Sequence, residues 1–260
     1  MIPWIESQVF YIGPVPFRTW GTLVALGFVV GAWISARRAT KKGFDKKIVW
    51  EWSFWYLLIA LIGARIFHVL FYNLSYYLEH SFEIIDPRQQ GFAIFGAFIA
   101  CALVTFWLVR KNNFDFLKIS DVFIWGLPWG IFIGRLGCFL IHDHPGIAST
   151  FFLAVRYPDG IARHDLGLYL SLTGLIAGLI FLLLDRKSKP DGTFLATYML
   201  MEGLSRLWLD FYRIVDVRYF GLTPAQWLSF LLIGCSIWIF FIINRKTSIQ
   251  TGSNDRLQVA

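Results

Sequence analysis

Seven long apolar segments constrain this chain more than any other feature. They lie at about 17–36, 49–72, 91–109, 121–141, 166–184, 193–213 and 224–243. Each is close to the ~20 residues a helix needs to cross a hydrocarbon core. A backbone in lipid must satisfy its own hydrogen bonds, so segments of this length are expected to be helical. With 57% hydrophobic and 16% charged residues, the chain is far more apolar than an ordinary soluble domain. The expectation is an all-α integral membrane protein with seven transmembrane helices over residues 1–244. Residues 245–260 are expected to form a polar, unstructured cytoplasmic tail.

The basic residues orient the bundle. The loops after the first, third, fifth and seventh segments carry fifteen Lys and Arg residues, whereas the opposite loops carry five, Arg88, Arg156, Arg163, Arg213 and Arg218. The positive-inside bias puts the N-terminus outside and the C-terminus in the cytoplasm. It also accounts for the net charge of +7 without nucleic acid as a partner. Cys101, Cys138 and Cys235 fall inside apolar runs, so no disulfide framework is expected. The opening Met-Ile-Pro-Trp-Ile-Glu lacks a positive region, and the first span is expected to be retained. The one extended outer loop, about 142–165, is expected to form a small cap after the fourth span.

Charges inside the apolar segments are costly and mark function or internal pairing. On the second segment Arg65, His68 and Tyr72 share one helical face. The fourth carries Arg135 and ends in His142-Asp143-His144, which the topology puts at the outer face. On the sixth, Glu202, Arg206, Asp210 and Arg213 are spaced four, four and three, so on a helix they form one stripe. Such a stripe must face the bundle interior, a water-filled cavity or an anion.

The string Gly134-Arg135-x-Gly137-Cys138-Phe139-x-Ile141-x-Asp143-x-x-Gly146 resembles the signature of the prolipoprotein diacylglyceryl transferases, Gly-Arg-x-Gly-Asn-Phe-x-Asn-x-Glu-x-x-Gly. Cys138 and Ile141 replace asparagines, and Asp143 shortens the glutamate. Four further strings are similar to family motifs in the same order. They are Ile12-Gly-Pro-Val with Thr19-Trp-Gly21, Gly63-Ala-Arg-Ile-Phe-His-Val-Leu-Phe-Tyr-Asn73, Arg163-His164 with Leu168-Tyr169, and Tyr198 through Arg213 followed by Gly221-Leu-Thr-Pro-Ala-Gln-Trp-Leu-Ser229. Three positions depart from the family: Phe95 stands where it has a histidine, Trp20 where it has a tyrosine, and Leu170 where it has a glutamate.

The resemblance implies a bacterial inner-membrane transferase, multi-pass, with its active site opening to the outer, periplasmic face. Its partners are phosphatidylglycerol and the lipobox cysteine of a prolipoprotein signal peptide. It transfers the diacylglyceryl group to the thiol in the first step of lipoprotein biosynthesis, with no cofactor and no metal. Arg135, Arg206 and Arg65 are the expected phosphate ligands, because a guanidinium fork matches phosphate oxygens in pairs. His142, Asp143, His144 and Arg206 are the expected catalytic groups, with His68 in reserve as the base. Gly134, Gly137, Gly146, Glu202, Asp210, Arg213, His68 and Tyr72 are expected to support them. Two readings compete: an anion or lipid transporter lined by the arginines, and a catalytically silent lipid-binding homologue.

Overall fold

The computed structural model describes residues 1–71, 74–86, 91–214 and 218–258, with the side chains of 94, 95 and 246–258 excepted. Tyr72, Arg88 and the side chain of Phe95 therefore lie outside the described residues. The chain opens with a hairpin, β1 (Val9–Ile12) and β2 (Val15–Arg18), and continues into α1 (Thr19–Lys41) and α2 (Lys46–Phe71). After the short α3 (Leu74–Glu79) come α4 (Ile94–Lys111) and α5 (Phe116–Ile141). Three short strands, β3 (Pro145–Ala148), β4 (Val155–Arg156) and β5 (Ala162–Asp165), precede α6 (Leu166–Leu184), α7 (Thr193–Leu209) and α8 (Pro224–Gln258).

Five helices are long and apolar enough to cross a membrane among the described residues: α1, α2, α5, α6 and α8 over Pro224–Arg245. The other two expected spans fall on α4, of 18 residues, and α7, of 17 with Glu202 and Arg206 on it. The expected unstructured tail is instead a backbone continuation of α8 to Gln258.

α5 is the central element. Gly27 and Gly31 of α1 meet Gly126 and Gly130 of α5, and a Cβ on Gly27 would stand 2.5 Å from the Gly130 carbonyl oxygen. Four-residue spacing of small residues on both helices lets the two backbones approach this closely. On its other side, Gly167 and Gly174 of α6 lie against the backbone at Phe139 and Phe132. Pro128 sits inside α5 and cannot donate a backbone hydrogen bond. Nearby, the Ser35 hydroxyl donates to the Phe123 carbonyl (3.0 Å) and accepts from the Gly126 amide (3.2 Å), so α1 satisfies polar backbone around the proline.

The ends of the helices are pinned by carboxylates. Asp115 accepts from the Lys118 amide to begin α5. Asp121, on α5, accepts from the Gly192 and Leu195 amides, each at 2.8 Å, and so caps α7 from a neighbouring helix. Asp165 begins α6 by accepting from the Leu168 amide. The expected cap after α5 is a three-stranded antiparallel sheet in the order β3-β5-β4. Its outer edges are taken: Ile2 pairs with Val155 on one side, and Gly146 with Arg213 on the other.

Candidate active site

Three elements converge at the C-terminal end of α5. Arg135 and Cys138 share one face of that helix, and an Arg135 Nη1 donates to the Cys138 sulfur at 3.8 Å. Across from them, Arg206 of α7 is held by Glu202 one turn back, Nε to Oε1 at 2.9 Å, with both side chains nearly buried (11% and 13% exposed). Among all charges acting on Arg135, that of Arg206 is the strongest, followed among the ionised groups by Glu202 and Arg213. No carboxylate among the described residues lies within ion-pair distance of Arg135. Two guanidiniums from different helices, Arg135 and Arg206, thus bear on one another, and among the described residues the ion pair with Glu202 belongs to Arg206. Inside a low-dielectric bundle that arrangement calls for an anion.

The stripe expected on the sixth segment is broken. α7 ends at Leu209, Asp210–Tyr212 form a 3₁₀ turn, and Arg213 is extended. Only Glu202 and Arg206 sit on the helix. Asp210 is buried, accepts from the Thr223 hydroxyl at 2.8 Å and stands 3.8 Å from the Arg213 guanidinium. It anchors the start of α8 to the end of α7. Arg213, in turn, pairs with Gly146 at the edge of β3. A side chain on Gly146 would run into the His164 and Tyr212 carbonyl oxygens, at 2.8 and 2.9 Å, which is why the strand needs glycine there. Gly137 likewise lies close under α1, a Cβ there standing 3.2 Å from Trp20 Cα, whereas Gly134 has ordinary room against Val24.

The two expected histidines part company. His142 ends α5 in the left-handed conformation (φ 48°, ψ 41°). Its ring is 1% exposed, bonds through Nδ1 to Asp165 at 2.6 Å and through Nε2 to the Ile5 carbonyl at 3.1 Å, and stacks on Trp4 at 3.8 Å. Both nitrogens are engaged by groups of the chain itself, so neither is directed at a substrate. Asp165 also accepts from the Tyr157 hydroxyl at 3.1 Å. His142 is the clasp that ties the N-terminal strand, the cap and α6 to the end of α5, and this corrects the expectation that it shares the base role.

His144 is oriented differently. Its Nδ1 donates to the Asp143 carbonyl oxygen at 2.9 Å, which leaves the lone pair on Nε2. Burial, then Arg135 and Arg213, lower its pKa to about 4, so the ring is neutral at physiological pH. Burial raises the Asp143 carboxyl above its ordinary value, against the pull of Arg135. Cys138, Asp143 and His144 bring a sulfur, a carboxylate oxygen and a ring nitrogen within 4.8 Å of one another. That donor set would suit a thiophilic cation in kind, but the arginines pressing on it favour an anion in charge.

Arg65 and His68 are not part of this cluster. Three hydrogen bonds of Arg65 go to backbone carbonyls between α2 and α4: Glu83 (2.6 Å), Ile84 (2.9 Å) and Gly91 (3.1 Å). His68 lies beneath Gly91, whose φ of +119° and lack of a side chain let the segment pass over the ring. Arg65, expected among the phosphate ligands, is thus seen holding the segment that leads into α4.

The residues that the sequence did not single out are those supporting the cap. Trp4 and Ile5 give no local signal, because their role depends on the N-terminal strand returning to α5. Asp165 does carry one, an aspartate directly before an apolar run. The departures Trp20 and Cys138 are neighbours.

The family profile for prolipoprotein diacylglyceryl transferase matches residues 7–242. The chain belongs to this family. It is 30% identical over 247 residues to the phosphatidylglycerol–prolipoprotein diacylglyceryl transferase of Nitratidesulfovibrio vulgaris (strain DP4), covering 91% of this chain and 94% of that one. It is 30% identical over 258 residues to the enzyme of that name from Bacillus cytotoxicus (95% and 94% covered). With that from Finegoldia magna the identity is 31% over 234 residues (88% and 92% covered). The diacylglyceryl transferase profile thus covers the three converging elements, from the strand before α1 to α8.

Proposed function

We propose that this protein transfers the diacylglyceryl group of phosphatidylglycerol to the lipobox cysteine thiol of a prolipoprotein. The observation that carries the reading is the like charge that Arg206 of α7 brings to bear on Arg135 of α5, with Arg135 lacking an ion-paired carboxylate of its own among the described residues. A phosphodiester bound by both would supply one negative charge which, with the Glu202 carboxylate, balances the two guanidiniums, their forks donating to its non-bridging oxygens. As the thiol sulfur bonds to the glyceryl carbon, the carbon–oxygen bond breaks and glycerol phosphate departs with the electron pair. The same guanidiniums then hold the growing phosphate charge, the largest kind of catalytic term in a dry site.

His144 takes the thiol proton in this scheme. Burial and three arginines depress its basicity, and two of those arginines, Arg135 and Arg206, are the proposed phosphate ligands, so lipid binding restores part of the basicity that the transfer needs. Ordered binding, lipid before peptide, follows. Asp143 faces the same arginine and holds the imidazolium as it forms.

The bundle is placed as seven spans, α1, α2, α4, α5, α6, α7 and α8, in the bacterial inner membrane. The N-terminus and the cap lie outside and the C-terminus in the cytoplasm, supported by the basic bias of the loops after α1, α4, α6 and α8. Residues 1–244 are the catalytic bundle and 245–260 its cytoplasmic extension. The site then opens to the outer face, where a translocated signal peptide presents its lipobox.

The test is complementation of a strain depleted of its own diacylglyceryl transferase, with lipoprotein modification read by mass. Appearance of the diacylglyceryl adduct is expected. Its absence at verified membrane expression would sink the enzymatic reading.

A further inference from the structure

At the other end of the bundle, Arg38, Lys41 and Lys42 from the end of α1 and Asp185, Ser188 and Lys189 from the segment after α6 line a cavity of about 260 Å³. This is far from the catalytic end: Trp20, beside Gly137, and Arg38 are 18 residues apart on α1, about 27 Å along a helix. Two of the four cations are paired, Arg38 with Asp185 and Lys42 with Asp191, each at 2.7 Å. Lys41 and Lys189 enter no ion pair among the described residues, so the lining keeps surplus positive charge.

Arg38 is the feature that separates this pocket from a loose basic surface. It is only 7% exposed, its guanidinium lies 4.1 Å from the Trp125 ring and 5.1 Å from that of Phe194, and its Nε has no hydrogen-bond partner. A buried N–H left unmade is costly, so this arginine is held in place at a price, and its side chain lines the cavity. The ring face and Asp185 hold the fork rigid. Lys41, Lys189 and Ser188, from two chain segments, line the same small space.

We propose that this pocket binds the phosphate of an anionic ligand, supplied either as a phospholipid headgroup of the leaflet opposite the catalytic site or as a free phosphate ion. A carboxylate offers two oxygens, fewer than the donors present, whereas a phosphate group accepts from several directions at once. The volume suits a headgroup and lies just below the range of pockets for larger ligands. A basic pocket between helices at the positively charged end of a bundle is where anionic headgroups are held.

Hydrogen-exchange mass spectrometry on the full chain in maltoside micelles tests this. Three probes are titrated: dioctanoyl phosphatidylglycerol, inorganic phosphate and, as the phosphate-free control, dioctanoylglycerol. Slower exchange at residues 38–43 and 185–192 is expected with a phosphate probe and not with the control. Protection by both phosphate probes assigns recognition to the phosphate ion itself, and protection by the lipid alone assigns it to a headgroup. In Lys41→Gln/Lys189→Gln, which keeps the Arg38–Asp185 and Lys42–Asp191 pairs and hence the fold, the midpoint should rise about tenfold or more. The proposal is overturned if neither phosphate probe protects these residues, if the control protects them equally, or if the double variant titrates like the parent.

Discussion

Two regions of this protein each put an arginine and a histidine into the apolar bundle, and they use them in opposite ways. On the α2 side, Arg65 donates to three backbone carbonyls and His68 lies packed beneath Gly91. On the α5 side, Arg135 feels the like charge of Arg206, and His144 keeps a lone pair on Nε2. A guanidinium that donates to several carbonyls of its own chain acts as a strut. One set against a second guanidinium is poised for an anion. Residue type alone would have assigned both pairs the same role.

The strongest way to break this comparison is to exchange the histidines. His144→Gln should lower turnover by ~10²–10⁴, the range for losing a general base, while His68→Phe should leave the chemical step intact. A purified transfer assay to a lipobox peptide decides it, and a reversed outcome would move the base to α2. Slightly smaller is the expected effect of Arg135→Lys or Arg206→Lys, about 10²–10³ in kcat, since charge is kept but the two-pronged donation is lost. Near-parental turnover in both lysine variants would remove the phosphate clamp.

Arg65→Ala should act on folding rather than chemistry. Carbonyls at Glu83, Ile84 and Gly91 would lose their donor, a cost on the order of 3 kcal/mol. Thermal melting in detergent should show it, with turnover per folded molecule little changed. An Arg65→Ala protein that melts normally yet fails to turn over would put Arg65 back among the phosphate ligands.

The subtlest effect is the pH response of His144. The unfolded ring takes up a proton near 6.5 and the folded one only near about 4. Between those values the unfolded chain binds more protons, so stability is full above pH 6.5 and declines as pH falls toward 4. The acid limb of kcat/KM, which reports the free enzyme, should also lie near the lower value. In His144→Gln this component of the melting slope should vanish, and an unchanged slope would show that another group titrates.

Much of the frame was legible in the chain. The expected segments at 166–184 and 121–141 coincide with or lie within α6 and α5, because a long run of apolar side chains is a local signal. The stripe on the sixth segment was read one turn too far. Spacing alone projects a helix through Arg213, whereas the chain leaves it at Asp210, whose carboxylate is drawn to Thr223 at the start of α8. Partners distant in sequence leave no trace in periodicity.

Hydropathy, charge bias and motif spacing are properties of neighbouring residues, so the sequence by itself determined the apolar helices and pointed to the end of α5, with Arg135 and Arg206 as the proposed anion ligands. It could not choose between His142 and His144, which differ by one intervening residue and share the same chemistry. The tertiary structure decided that. The left-handed turn at His142 sends its ring back under Trp4 to Asp165 and the Ile5 carbonyl, while His144 points toward the arginines. A proton acceptor needs a free lone pair, and whether one is free depends on which distant acceptors the fold brings within reach.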